Sequence, residues 1–141
     1  MTNTNEMKPK RPIIITSIAI FAALFGVISI KEGGSVLFTE TGKLGAGDFV
    51  PFVVWFNFFA GFAYILAAIM LFRLKSCSRK LAKVIAAATV LVFIFFGLHI
   101  FNGGAYELRT VIAMTLRSTI WIAIALFAHK SKVLKPTDCK C

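Results

Sequence analysis

The sequence predicts an all-α fold, a four-helix transmembrane bundle running up-down-up-down with both termini in the cytoplasm. Three observations predict it. Four apolar runs, residues 12–30, 49–72, 81–101 and 108–128, each approach the ~20 residues a helix needs to cross roughly 30 Å of hydrocarbon. Basic residues gather on alternate sides of those runs, which by the positive-inside rule sets the orientation. Hydrophobic residues make up 58% of a 141-residue chain, so four spans leave no room for a soluble domain. The backbone polar groups of such a chain must be satisfied within each helix.

Residues 1–11 are polar and read as a disordered cytoplasmic segment, with Lys8, Lys10 and Arg11 just before the first run. That run is too long for a signal h-region and lacks a small-residue cleavage site, so it reads as an uncleaved first helix. Gly33 and Gly34 read as its C-cap. Residues 35–48 form the longest loop, with glycines at 42, 45 and 47, and Val36, Leu37 and Phe38 dipping toward the membrane surface. Pro51 fits the first turn of the second helix, where its missing N–H leaves nothing unpaired. A short basic turn, residues 73–80, makes the second and third helices antiparallel neighbours, and the tight connection 102–106 does the same for the third and fourth. The fourth helix is followed by a basic cytoplasmic tail, residues 129–141.

The net charge of +10 is topogenic charge on the cytoplasmic loops. It favours anionic lipid headgroups, not nucleic acid. All three cysteines fall on the cytoplasmic side, where thiols stay reduced, so no structural disulfide is expected. Cys139 and Cys141, with Cys77 as a third ligand, are the candidate soft-metal set. The tail reads as too unstructured to hold a metal, and none is expected.

Polar groups inside a bilayer are expensive and mark sites. Arg117 lies nine residues into the fourth helix, hence near mid-membrane. Thr110, Ala113, Arg117 and Trp121 follow one face of that helix, and Asn57, Gly61, Tyr64 and Ala68 follow one stripe of the second. Gly61 and the neighbouring alanines let another helix approach closely. The expected partners of Arg117 are Asn57 first and then Tyr64, with His99, Glu107 and Glu32 completing an outer polar layer. Packing alone also accounts for these stripes. A haem held by two histidines is excluded, because His129 stands at the opposite end from His99.

From Gly26 and Lys31 through Asn57-Phe58-Phe59-Ala60-Gly61, the basic residues Arg73 and Lys75, and a small-residue third helix ending in His99, the chain resembles the DoxX-like group of small four-helix membrane proteins. That resemblance implies a membrane subunit of a quinone-linked oxidoreductase, as in thiosulfate:quinone oxidoreductases. The residues themselves point elsewhere. They contain no nucleophile–base pair, phosphate loop or multi-histidine metal site, so a self-sufficient enzyme is not expected. The leading expectation is an accessory or ligand-binding component of the inner or plasma membrane, without a resident cofactor. It would sit among membrane lipids and form a homo-oligomer or a complex with other membrane subunits. A quinone-binding redox subunit is the alternative. A metal or anion transporter is the third reading, because four helices make a path only as an oligomer.

Overall fold

A computed structural model of the chain describes residues 12–131. Their order is α1 (Ile13–Phe38), α2 (Glu40–Ala46), α3 (Pro51–Phe72), α4 (Cys77–Phe101) and α5 (Leu108–Lys130). Four of these helices are long and apolar enough to cross a membrane, and no strand occurs among the described residues. Backbones pack closely in the order α1–α3, α3–α4 and α4–α5, with α2 folded against the end of α1. We call the end that carries α2 and the α4–α5 turn the α2 end, and the opposite one, with Arg73, Lys75, Arg79, Lys80 and Lys130, the basic end.

Small residues decide how α1 packs. Its buried residues are Ile15, Ala19, Ala22, Gly26, Ser29 and Gly33, spaced alternately by four and three. This 3.5-residue rhythm keeps one seam facing a partner helix. In lipid no hydrophobic force pulls helices together, so close contact between small residues must do it. A Cβ on Gly26 would stand 2.8 Å from the Gly61 carbonyl oxygen, and one on Gly61 would stand 2.8 Å from that of Gly26. Many large apolar side chains point the other way: Leu24, Phe59, Phe62, Leu91, Ile94 and Leu126 are all exposed.

Several boundaries differ from the sequence reading. α1 does not end at Gly33 but continues to Phe38. Gly33 is glycine because a Cβ there would lie 3.0 Å from Phe58 Cβ, so it serves packing and caps nothing. The long loop is largely helical. Thr39 closes α1, its hydroxyl donating to the Ser35 carbonyl at 2.7 Å, and starts α2 by accepting from the Gly42 N–H at 3.0 Å. α4 begins one turn earlier than expected, at Cys77, and α5 runs to Lys130, into the expected tail.

Two helix ends share one geometry. At the α3 terminus the Lys75 N–H reaches the Met70 carbonyl and the Leu74 N–H that of Leu71. At the α4 terminus Gly104 reaches His99 and Gly103 reaches Ile100. Both are Schellman closures, with Leu74 (φ 53°) and Gly103 (φ 80°) in the left-handed position. At the basic end the Arg79 guanidinium donates to the His129 carbonyl at 3.1 Å, placing a cation on the negative end of α5.

Cys77 is disulfide-bonded. This overturns the expectation of a free thiol and removes Cys77 from the candidate metal set. Cys139 and Cys141 lie outside the described residues, as do the expected N-terminal segment 1–11 and the tail beyond Ser131.

Candidate functional site: a cavity with a buried arginine at its floor

The core divides along the bundle axis. Toward the basic end, Ile15, Ala19, Ala22, Ala67, Ala68, Leu71, Ala82, Ile124 and Ala128 fill the interior, with Ser78 buried at the start of α4. Toward the α2 end, Val50, Val53, Phe96 and Met114 pack between α3, α4 and α5. Beside this second cluster, between α1, α2, α3 and α5, lies a cavity of about 510 Å³, within the usual size for small-molecule sites.

Arg117 forms its floor. The residue is 7% exposed, although it stands near the middle of α5, about 13 Å from the start of that helix at 1.5 Å per residue. Its Nη2 donates to the Ser29 hydroxyl at 3.1 Å, and its Nη1 lies 3.9 Å from the Met114 sulfur. The Phe25 ring lies 5.4 Å below the guanidinium carbon. Its Nε has no partner among the described residues, and no carboxylate there forms an ion pair with it. A buried guanidinium held by one hydroxyl, one thioether and one ring is a charge without a counter-charge among the described residues.

Below the floor an aromatic stack closes the axis. Phe25 stacks on Tyr64 at 5.8 Å, and Tyr64 meets Trp121 at 4.6 Å. Tyr64 and Trp121 are fully buried. The Tyr64 hydroxyl is directed at Thr89 and Trp121. Neither that hydroxyl, the Trp121 indole N–H nor the Ser118 hydroxyl completes a hydrogen bond among the described residues.

Four of the six residues singled out in the sequence meet here. Asn57, Glu32, Glu107 and Arg117 all line the cavity. Asn57 is not bonded to the guanidinium, and its Oδ1 lacks a partner among the described residues. Tyr64 belongs to the stack beneath. His99 stands apart, its Nε2 donating to the Ala105 carbonyl at 3.2 Å and its ring meeting Phe52 edge-on at 6.3 Å. It closes the α4–α5 turn and does not line the cavity.

The partner of Arg117 is therefore Ser29, which the sequence reading passed over. The signal for it was the small-residue seam of α1, in which Ser29 occupies one position. Arg109 and Thr110 also line the cavity, near its mouth. The roof is α2, through Gly42, Gly45 and Ala46. Glu107 ties that roof down by accepting from the Asp48 N–H at 3.4 Å. Gly47 must be glycine, since its φ is 62° and a Cβ would collide with the Glu107 carboxylate. Among the described residues no cluster of His, Cys, Asp and Glu could hold a metal ion.

Fold and cavity together define a small integral membrane protein, a four-helix bundle with an arginine-floored cavity toward one end. No family model, curated protein or solved structure matches the chain.

Proposed function

We propose that this protein is a ligand-binding component of its membrane, and that the ligand presents an anionic or strongly accepting group to Arg117. The observation that carries this reading is the guanidinium itself: 7% exposed at the floor of a cavity, bonded to the Ser29 hydroxyl and without a carboxylate partner among the described residues. An arginine at this depth disfavours insertion by roughly 2.5–3.5 kcal/mol, so an ion with no counter-charge among the described residues calls for one from outside. Asn57 adds an amide at the same cavity, suited to fixing a ligand's orientation. The aromatic stack below blocks the axis, which favours a binding pocket over a conducting path through one copy. With the basic end in the cytoplasm, the pocket faces the outer half of the membrane, and an accessory role beside other membrane subunits fits its size.

A quinone-linked subunit is the second reading, because a quinone carbonyl would accept from the same donors. Gentle detergent extraction followed by native mass spectrometry tests both. The expected result is a small molecule held at about one per chain by the wild type and absent from Arg117→Gln. Bound quinone in the extract would carry the second reading. The same ligand retained in full by Arg117→Gln would overturn the placement of the site.

A further inference from the structure

The cavity has a side window, and its position says how a ligand arrives. Ile28 and Leu116 both line the cavity, yet they are 55% and 54% exposed. Each is the chain neighbour of a floor residue, Ser29 and Arg117, so the window opens at the depth of the guanidinium. It lies on the seam between α1 and α5, which close backbone packing leaves out and which Arg117 bridges with its side chain to Ser29 and Phe25. At that depth the surroundings are hydrocarbon, not water.

The other approach is guarded. α2 roofs the cavity, and Glu32 and Glu107 put two carboxylates at the mouth nearest the α2 end. An anion arriving from water would have to pass both, although Arg109 offsets part of that field. An anion arriving through the bilayer would meet Ile28, Leu116 and a guanidinium with no carboxylate partner among the described residues.

Resting on the binding role proposed above for Arg117, we infer that the ligand is a single-chain amphiphile with an anionic head, such as a long-chain carboxylate. It enters sideways, sets its head against the Arg117 guanidinium, and leaves its chain between Ile28 and Leu116. Either ion alone is costly at this depth, and pairing them offsets part of that cost.

The chain has two tryptophans, Trp55 and Trp121. Trp55 is 42% exposed on the lipid side, whereas Trp121 is buried one turn below Arg117. A Trp55→Phe protein in phosphatidylcholine nanodiscs therefore reports on the cavity floor alone. Titration with 5-doxyl-stearate should quench Trp121 saturably, with displacement by oleate. Affinity should fall at least about tenfold in Arg117→Gln, the size expected for a lost charge-assisted contact. It should fall comparably in Ala113→Phe, which keeps Arg117 and fills the window one turn above it. The methyl ester of the probe should quench only in proportion to its concentration. An unchanged Trp121 emission maximum and elution volume identify folded variants.

Competition by butyrate or inorganic phosphate as effective as that by oleate would overturn the lateral route and leave the Arg117 binding role standing. Saturable binding of the methyl ester would overturn the anionic head in favour of a neutral acceptor such as a quinone. Quenching that never saturates and is equal in wild type and Arg117→Gln would overturn the inference and the binding role together.

Discussion

Arg117 and the glycines of α1 and α3 show how single residues serve opposite ends in this molecule. The guanidinium is unfavourable for the bundle. Its hydroxyl partner, Ser29, could turn back to its own helix's carbonyls, as serines in helices commonly do. Removing the charge therefore strands little. Arg117→Met should raise stability by about 1–3 kcal/mol, because an apolar side chain replaces an uncompensated buried ion. Reversible unfolding in mixed detergent measures it, and a loss of stability would mean that the Ser29 and Phe25 contacts of Arg117 outweigh the cost of its charge. The glycines behave oppositely. Gly61→Val adds bulk where a Cβ already stands 2.8 Å from the Gly26 carbonyl oxygen and 2.6 Å from Ile30 Cγ1, so it should cost about 1–3 kcal/mol by overpacking. Gly97→Ala is the control, since nothing lies within 4 Å of its added Cβ. It should be neutral or stabilising by up to about 1 kcal/mol, the usual gain of alanine over glycine inside a helix.

At the scale of elements, the ends of helices show what the sequence could and could not disclose. The four apolar runs were legible because span length and charge placement are properties of local sequence. The end of α1 was not, because a Gly-Gly pair suits a left-handed cap and a close helix crossing equally well. Only the presence of Phe58 opposite Gly33 decides for the crossing. α2 was hidden by its glycines at 42 and 45, which lower helix propensity but make room for the cavity and the end of α1. Ser29 was hidden as a partner because the order of helices around a bundle is not written in any one of them. Two predictions belong here. Gly103→Ala should cost about 1–2 kcal/mol, because its φ of 80° is disfavoured for any residue with a Cβ while open space surrounds it. Loss of stability without change in ligand binding, compared with wild type in the same detergent, checks it. Glu107→Gln should loosen the roof, since the Asp48 N–H would lose its charged acceptor. Amide exchange at residues 40–48 should then quicken while exchange in α3 and α4 stays unchanged. Equal exchange in α2 would show that the tie does not hold the roof.

At the scale of the whole molecule, charge placement and cysteine chemistry meet at the basic end. Arg73, Lys75, Arg79, Lys80 and Lys83 lie there, and the positive-inside rule predicts that such an end faces the cytoplasm. Cys77 begins α4 at the same end and is disulfide-bonded. Cytoplasmic thiols are kept reduced, so the charge rule and the bond describe different conditions if both hold. The orientation decides which condition prevails in the cell. We expect the basic end inside, as its charges require. Rapid acid quenching followed by a mass-adding maleimide reads the thiol state. A Cys139→Ser/Cys141→Ser chain, in which Cys77 alone remains, should resist a membrane-impermeant maleimide in intact cells and react once the membrane is opened. A bond already present in freshly quenched cells, together with labelling of Cys77 from outside, would invert the molecule. The arginine-floored cavity would then face the cytoplasmic half of the membrane and draw its ligand from that leaflet. The order of helices around the bundle, and the seam through which the cavity opens, would stay as they are.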